Sequence, residues 1–487
     1  MSYQTVYDVI VCGGGTSGVA AAIAAAREGA AVLLIERTGT LGGQMSLSGP
    51  PGFAYARLFN NKGQRDVGGI VEESYQRLYR SGHALPHLRY PVREKAGYVF
   101  SYVDPDWWTA LMFDMMEEES VTLLLDSLVV GVLKNGDTVK GVVVENADGR
   151  HEIEGRIVVD CTGEGYVSSF AGCEMVCVSR DEIQPHTLAF TVDGVDWERL
   201  LRYIRTHPEQ FSFRHLIFPY ENANTREDVM DMYRNCGDVT ELGEIMGFYE
   251  LRDIALQNGD WHPFSGAGFF LTPKEGGHIQ AHFQHSSQVD HALPTDAWDL
   301  TRCNIECRKQ NQIAWRFFKH YVPGFENAYI TKVCTELRLR EGPRIVGDYV
   351  LKKEDVANEQ RFDDVIGRSS FKAGAYHVSS MDTLNACVKA SSDLVYTRSG
   401  GSYDIPYRCL VPRKINGLLA AGKCVSTDRP AYLRYLHQTM VTGQAAGAAA
   451  AICTRRGISP RELEKNVDEL QAVLIRQGAV LYDSQVE

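Results

Sequence analysis

The 487-residue sequence predicts an α/β fold: a parallel sheet with a β-meander, interrupted by an inserted α+β domain. Three observations point to it. "VIVCGGGTSGVAAAIAAAREGAAVLLIER", Val9 to Arg37, runs from apolar strand through a glycine turn and an alanine-rich helix to a second apolar strand. "RIVVDCTGEG", Arg156 to Gly165, is another short apolar run that ends in a tight turn. Near the C-terminus the same grammar returns in "INGLLAAGKCVS" and "TGQAAGAAAAIC".

Val9–Cys12 is a continuous apolar run, as expected of a strand buried on both faces. Gly13, Gly15 and Gly18 then fit G-x-G-x-x-G where that strand must turn into a helix. The first glycine permits the turn, the second lets backbone approach a pyrophosphate, and the third lets the helix pack on the strand. The pattern predicts a helix over Ala20–Glu28 ended by Gly29, and a second strand over Ala30–Ile35. Glu36 follows Gly18 by 18 residues, close to the spacing of an acid that holds ribose hydroxyls. The stretch reads as a Rossmann-like unit for an ADP-containing dinucleotide.

Leu128–Asn146 predicts a strand, a turn at Asn135-Gly136-Asp137 and a second strand, and "GRHEIEGRIVV" adds further extended chain. Residues from about 176 to 400 hold most of the histidines and an amphipathic helix from about Leu300 to Tyr321, closed by Pro323-Gly324. "TGQAAG" is expected to open a small-residue helix at Thr442, and Ser459 to cap a final helix with Pro460 in its first turn. The expected division is 1–175 and 401–455 for the two parts of the dinucleotide-binding domain, 176–400 for the insertion and 456–487 for a helical tail.

A net charge of −12 argues against nucleic acid or an anionic membrane surface as partner. No stretch reaches the ~18 apolar residues of a membrane span, and the N-terminus lacks a basic, then apolar, leader pattern. The twelve cysteines are scattered, unlike a disulfide framework, so a reducing, cytoplasmic setting is expected. Cys173/Cys177 and Cys303/Cys307 lack the C-x2-C repeats of zinc or iron–sulfur sites, and no metal is expected.

In combination, the Gly13–Gly18 loop with Glu36, "LGGQ" at Leu41, "VDPDWW" at Val103, "VVDCTGEG", "QPHTLAF" at Gln184, "RLREGPRIVGDYVL" from Arg338, "YDIPYRCLVP" from Tyr403 and the "AGK…TGQAAG" close resemble the FAD-dependent oxidoreductases, two-dinucleotide-binding-domain flavoproteins distantly akin to fumarate-reductase-type enzymes. The resemblance covers nearly the whole chain. It implies bound FAD and redox chemistry, with a Rossmann-like FAD-binding domain and an inserted substrate or cap domain; no Cys or His stands in a context that compels covalent attachment, so the FAD is expected to be non-covalent. Carried over by position, it implies that Gly13, Gly15, Thr16, Ser17 and Gly18 cradle the pyrophosphate. Glu36 would hold the adenosine ribose, with Arg37 and the Val129 backbone beside the adenine. Gly42, Gly43 and Gln44 would run along the ribityl chain and flavin, Gly163 would close over the pyrophosphate, and Gly422 with Gly443, Gln444 and Ala445 would face the flavin.

For substrate chemistry, "GHIQAHFQH" places His278, Gln280, His282 and Gln284 on one face of a strand, and "TELRLRE" places Glu336, Arg338 and Arg340 on one face of another. If both lie in one sheet over the flavin, His282 exchanges a proton and Arg340 anchors a substrate oxygen. The alternative is that these faces meet solvent. His377 and Tyr407 are further candidates, and Arg344 reads as an ion-pair partner of Asp348 or Glu341. The function expected is hydride transfer between flavin N5 and a small organic substrate. Flavin-dependent monooxygenation and an electron-transfer subunit are the alternatives. The electron partner, substrate and oligomeric state stay open.

Overall fold

The computed structural model describes residues 6–49, 58–90, 98–212, 220–262, 266–374 and 394–486. Strand β1 (Val6–Cys12) is fully buried from Val9 onward, as a strand covered on both faces must be. Helix α1 (Thr16–Arg27) starts directly after the glycine turn, four residues before the expected Ala20, since Thr16 and Ser17 sit where helical N–H groups need no intrahelical partner. Strand β2 (Val32–Ile35) runs parallel to β1 with Val32 opposite Val9.

Beyond β2 the sheet adds β3 (Thr122–Leu124). The meander is β4 (Leu128–Asn135), β5 (Thr138–Asn146) and β6 (Gly149–Asp160). Its strands share one sheet with β1, in the order β3-β2-β1-β6-β5-β4. The joint is β6, a single 12-residue strand. Its first half pairs antiparallel with β5, and its second half runs parallel to β1 and to the returning strand Leu418–Ala420.

The insertion carries a second sheet, antiparallel, of β7 (Phe190–Asp193), β8 (Glu244–Met246), β9 (Gly268–Pro273), β10 (Ile279–Phe283) and β11 (Tyr329–Val333), in the order β8-β9-β10-β7-β11. One face buries Phe269 and Phe283 against Phe318 of α2 (Ala297–Tyr321), an edge-on aromatic cluster. The 336–340 stretch is not a strand of this sheet; its backbone makes a single bridge, Thr187 to Arg338. The first layer resumes near Glu341 rather than at 401. Arg344–Ile345 pairs with Met175–Val176, Val365–Ser369 pairs with Tyr403–Pro406, and Leu351, Val356 and Ile366 join the core around α1.

Helix α3 (Leu436–Arg456) closes the first layer. It opens at Leu436, not Thr442, because Gln438 Oε1 accepts the N–H groups of Arg434 and Tyr435 and caps the chain earlier. Everything from Leu436 to Thr454 is buried. A Cβ on Gly443 or Gly447 would overlap the carbonyls of Ser17 or Ala21, so these glycines set the close contact of α3 with α1. Ser459 caps the following short helix, Pro460–Leu463, through Glu462. Among the described residues, no helix is long and apolar enough to cross a membrane.

Candidate functional site

The glycine turn, the end of β2 and the start of α3 border one cleft. Gly13, Gly15, Thr16 and Ser17 line it together with Glu36, Arg37, Gly43, Gln44, Val129 and Gly163. Gly13 holds φ at +101°, which a side chain would strain. A Cβ on Gly15 would meet nothing closer than Gly43 Cα at 4.0 Å, so the space in front of Gly15 belongs to the cleft. No side chain caps α1, which leaves its first-turn N–H groups and positive dipole end to an anionic ligand. Glu36 is buried at the rim. One of its oxygens accepts from Gly14 N–H at 2.7 Å, and the other from Thr38 N–H and Oγ1 at 3.0 and 2.9 Å. The oxygen on Gly14 keeps a lone pair for a ribose hydroxyl. This donor and acceptor set fits a dinucleotide.

Several lining residues escape motif reading. Thr439 on α3 shares a 2.7 Å hydrogen bond with Thr16, tying the two helix starts together. Lys423 pairs with Glu164 beside Gly163, and Arg37 pairs with Glu336 at 2.5 Å. Burial raises the Glu336 carboxyl and Arg37 opposes that shift. Lys423, directly after Gly422 in "AGK", was the available signal for the first pair.

Six expected cofactor contacts lie outside the cleft lining. A Cβ on Gly18 would overlap the Gly13 carbonyl, so Gly18 serves the packing of α1 on β1. Gly42 donates to the Gly14 carbonyl at 2.7 Å and turns its α-carbon to Ser46 and Trp108. Gly422 donates to Thr442 Oγ1 at 3.0 Å and backs onto Ser17. Gly443, Gln444 and Ala445 are inside α3, past its first turn, with their N–H groups in the helix. Gln444 Oε1 accepts from Ile70 N–H at 3.1 Å and its amide reaches Gln477. The α3 residue that lines the cleft is Thr439.

The substrate candidates separate. His282 and Gln284 are fully buried, whereas His278 is half exposed and paired with Asp193 at 2.9 Å. The His282 ring touches Gly49, at the end of the segment whose Gln44 and Leu47 line the cleft. Its Nδ1 lies 3.2 Å from Thr191 Oγ1, and among the described residues its Nε2 has no partner. Desolvation, with lesser repulsion from Arg338 and Lys332, holds its pKa at about 3. Arg340 does not share a wall with it: its guanidinium is buried and donates to the Pro185 carbonyl at 3.1 Å and Thr187 Oγ1 at 3.3 Å, beside His285 Nδ1 at 3.2 Å. Tyr407 is likewise a core residue, fully buried, its hydroxyl donating to the Pro460 carbonyl at 3.0 Å. His377 lies outside the described residues. Among the described residues no group of three or more His, Cys, Asp and Glu is gathered to hold a metal. Cys303 and Cys307 face an apolar cluster, where burial pushes their thiols up to about 11 and about 12.

Two expectations follow. Arg340→Lys keeps a charge but replaces a fork serving several groups with a single ammonium. We expect a stability loss of about 1–3 kcal/mol in chemical denaturation. The second concerns acid. His87, His186 and His282 are held neutral by burial, with pKa values of about 4, about 4 and about 3. Unfolded imidazoles titrate near 6.5, so below that pH the unfolded state binds more protons and stability falls. Each histidine then costs up to about 1.4 kcal/mol per pH unit as pH drops from about 6.5 toward 4. Denaturant midpoints at pH 7 and pH 5 measure this directly, and equal midpoints would contradict neutral burial.

The fold and cradle define a dinucleotide-binding α/β protein. The chain belongs to the FAD dependent oxidoreductase family, whose model matches residues 8–474, and FAD is its cofactor. The comparison with curated proteins gave no match. Among solved structures, the chain is similar to a geranylgeranyl bacteriochlorophyll reductase-like protein from Thermoplasma acidophilum, with 12% identity and TM-score 0.44 over 97% of this chain and 86% of that one. It is also similar to a myxobacterial chondrochloren halogenase (14%, TM-score 0.44, 95% and 78%). A third likeness is to p-nitrophenol 4-monooxygenase from Pseudomonas putida (11%, TM-score 0.43, 97% and 87%).

Proposed function

We propose that the protein moves a hydride between FAD and a small organic substrate, with His282 handling the accompanying proton. The observation that carries this reading is the His282 imidazole, fully buried, with Nε2 unpartnered among the described residues and the ring against the segment that lines the cleft. Bound FAD supplies a two-electron acceptor or donor at its N5. The chain's own groups do the rest. The start of α1 holds the pyrophosphate and Glu36 the ribose. Leu47, Leu337 and Leu339 give the cleft an apolar stretch that excludes water.

His282 is neutral at neutral pH. The Thr191 hydroxyl beside Nδ1 can donate or accept, so it serves both tautomers. Nε2 carries the proton in one tautomer and a lone pair in the other. In the oxidative direction the substrate C–H bond breaks and its electron pair leaves with the hydride, while the O–H or N–H proton passes to Nε2. In the reductive direction both transfers reverse. Negative charge developing on the substrate stabilises the imidazolium that burial otherwise disfavours.

Anaerobic mixing of the holoprotein with a panel of small acids, alcohols and, after reduction, unsaturated compounds tests the proposal. Loss or return of the flavin absorbance with one class of compound, and stoichiometric product, is the expected result. Electron exchange with redox proteins alone would replace this reading with that of an electron-transfer subunit.

A further inference from the structure

Arg344 is a buried cation without a carboxylate partner among the described residues. It is 2% exposed, its Nε donates to the Thr427 carbonyl at 3.2 Å, and its guanidinium lies 5.2 Å from the centroid of the Tyr432 ring. The nearby acids in sequence are engaged elsewhere. Asp348 is held by Arg461 and Glu341 by Arg429, contrary to the pairing expected from sequence. Asp428 accepts the backbone N–H groups of Lys353 and Ala431. Among the described residues, Arg344 makes no ion pair, and three polar atoms of this cluster have no hydrogen-bond partner: Arg344 Nη1, the Tyr432 hydroxyl and Thr427 Oγ1. Tyr432 and Thr427 are 9% and 3% exposed.

A guanidinium stays charged in proteins, and burying it without a counter-charge is strongly unfavourable. All three unpartnered atoms can donate. Burial raises the Tyr432 phenol far above its ordinary value, which keeps its proton in place. Arg434, Glu341 and Glu164 also act on Tyr432; Glu341 and Glu164 are paired with Arg429 and Lys423, so a buried guanidinium with two hydroxyls able to donate beside it matches a small anion. The depth of burial favours a small monovalent ion over a larger, more strongly hydrated oxyanion. We propose that Arg344, Tyr432 and Thr427 form a binding site for one small monovalent anion of the halide class. The site is separate from the redox reading and does not depend on it.

Bromide is the probe, used on the full holoprotein. Melting temperature is compared in bromide and in gluconate at equal ionic strength, for the wild type, Arg344→Met and Tyr432→Phe. The expected result is a saturable rise of about 2 °C or more with bromide in the wild type. It disappears in Arg344→Met and needs more bromide in Tyr432→Phe. Anomalous scattering from wild-type crystals soaked in bromide should give a peak within about 3.5 Å of Arg344 Nη1. That second measurement decides the matter if Arg344→Met does not fold. A wild type with no bromide-specific rise, a rise that survives in Arg344→Met, or no peak beside Arg344 would each overturn the proposal.

Discussion

Gly15→Val is expected to give a folded protein that holds FAD about 10²-fold more weakly, whereas Gly18→Ala is expected to destabilise the fold itself. The two glycines belong to the same turn and face opposite ways. In front of Gly15 the nearest atom is 4.0 Å from a built Cβ, so the apo chain can accept a side chain there. The valine then occupies the space where a pyrophosphate must meet the first-turn N–H groups of α1. Losing about 3 kcal/mol of that contact lowers FAD affinity by about 10²-fold. A Cβ on Gly18 would instead overlap the Gly13 carbonyl at the junction of α1 and β1, where backbone has no room to move. We expect a loss of about 3 kcal/mol or more there, the range of severe overpacking. Flavin content by absorbance and melting temperature by circular dichroism separate the outcomes. A yellow Gly15→Val protein with full FAD occupancy would refute the cradle, and a Gly18→Ala protein of wild-type stability would refute the packing role.

The β1–α1–β2 unit was legible because each glycine of the motif has a backbone reason to be there, and the strands are apolar on both faces. The start of α3 was not. Its cap is Gln438, three residues inside the helix, acting on Arg434 and Tyr435 N–H groups. Gln438 is not one of the residue types that normally announce a helix start. The run of small residues after Thr442 drew attention instead, and it marks where α3 touches α1. Gly443 thus has a clear structural function away from the cleft.

The alternation in "TELRLRE" has a similar lesson. Glu336, Arg338 and Arg340 do share a period of two, yet each side chain reaches a different partner: Arg37, Gln284 and the Pro185 carbonyl. Period two describes an extended chain and says nothing about whether it has neighbours in a sheet. Glu164, Tyr166 and Thr439 were out of reach for another reason. They come from two segments far apart in sequence, and no local spacing encodes their meeting at the cleft.

His282→Gln is expected to retain FAD and slow flavin reduction by substrate by a factor of about 10² to 10⁴. Glutamine keeps a group that can bond to Thr191 but cannot pick up and release a proton. His282→Ala should be at least as slow and, because it opens a cavity beside Gly49, less stable as well. Comparing the two separates proton handling from packing. The pH dependence adds an independent sign. With the imidazole held at about 3, the wild-type reduction rate should show no limb from His282 between pH 5 and pH 8. An exposed catalytic histidine would instead give one near 6.5. Anaerobic rapid mixing across that range, on wild type and both variants, reads all three effects. Wild-type rates in His282→Gln would leave the buried imidazole with a structural task only, bonded to Thr191 and packed on Gly49, and the proton would have to travel by a group that lines the cleft.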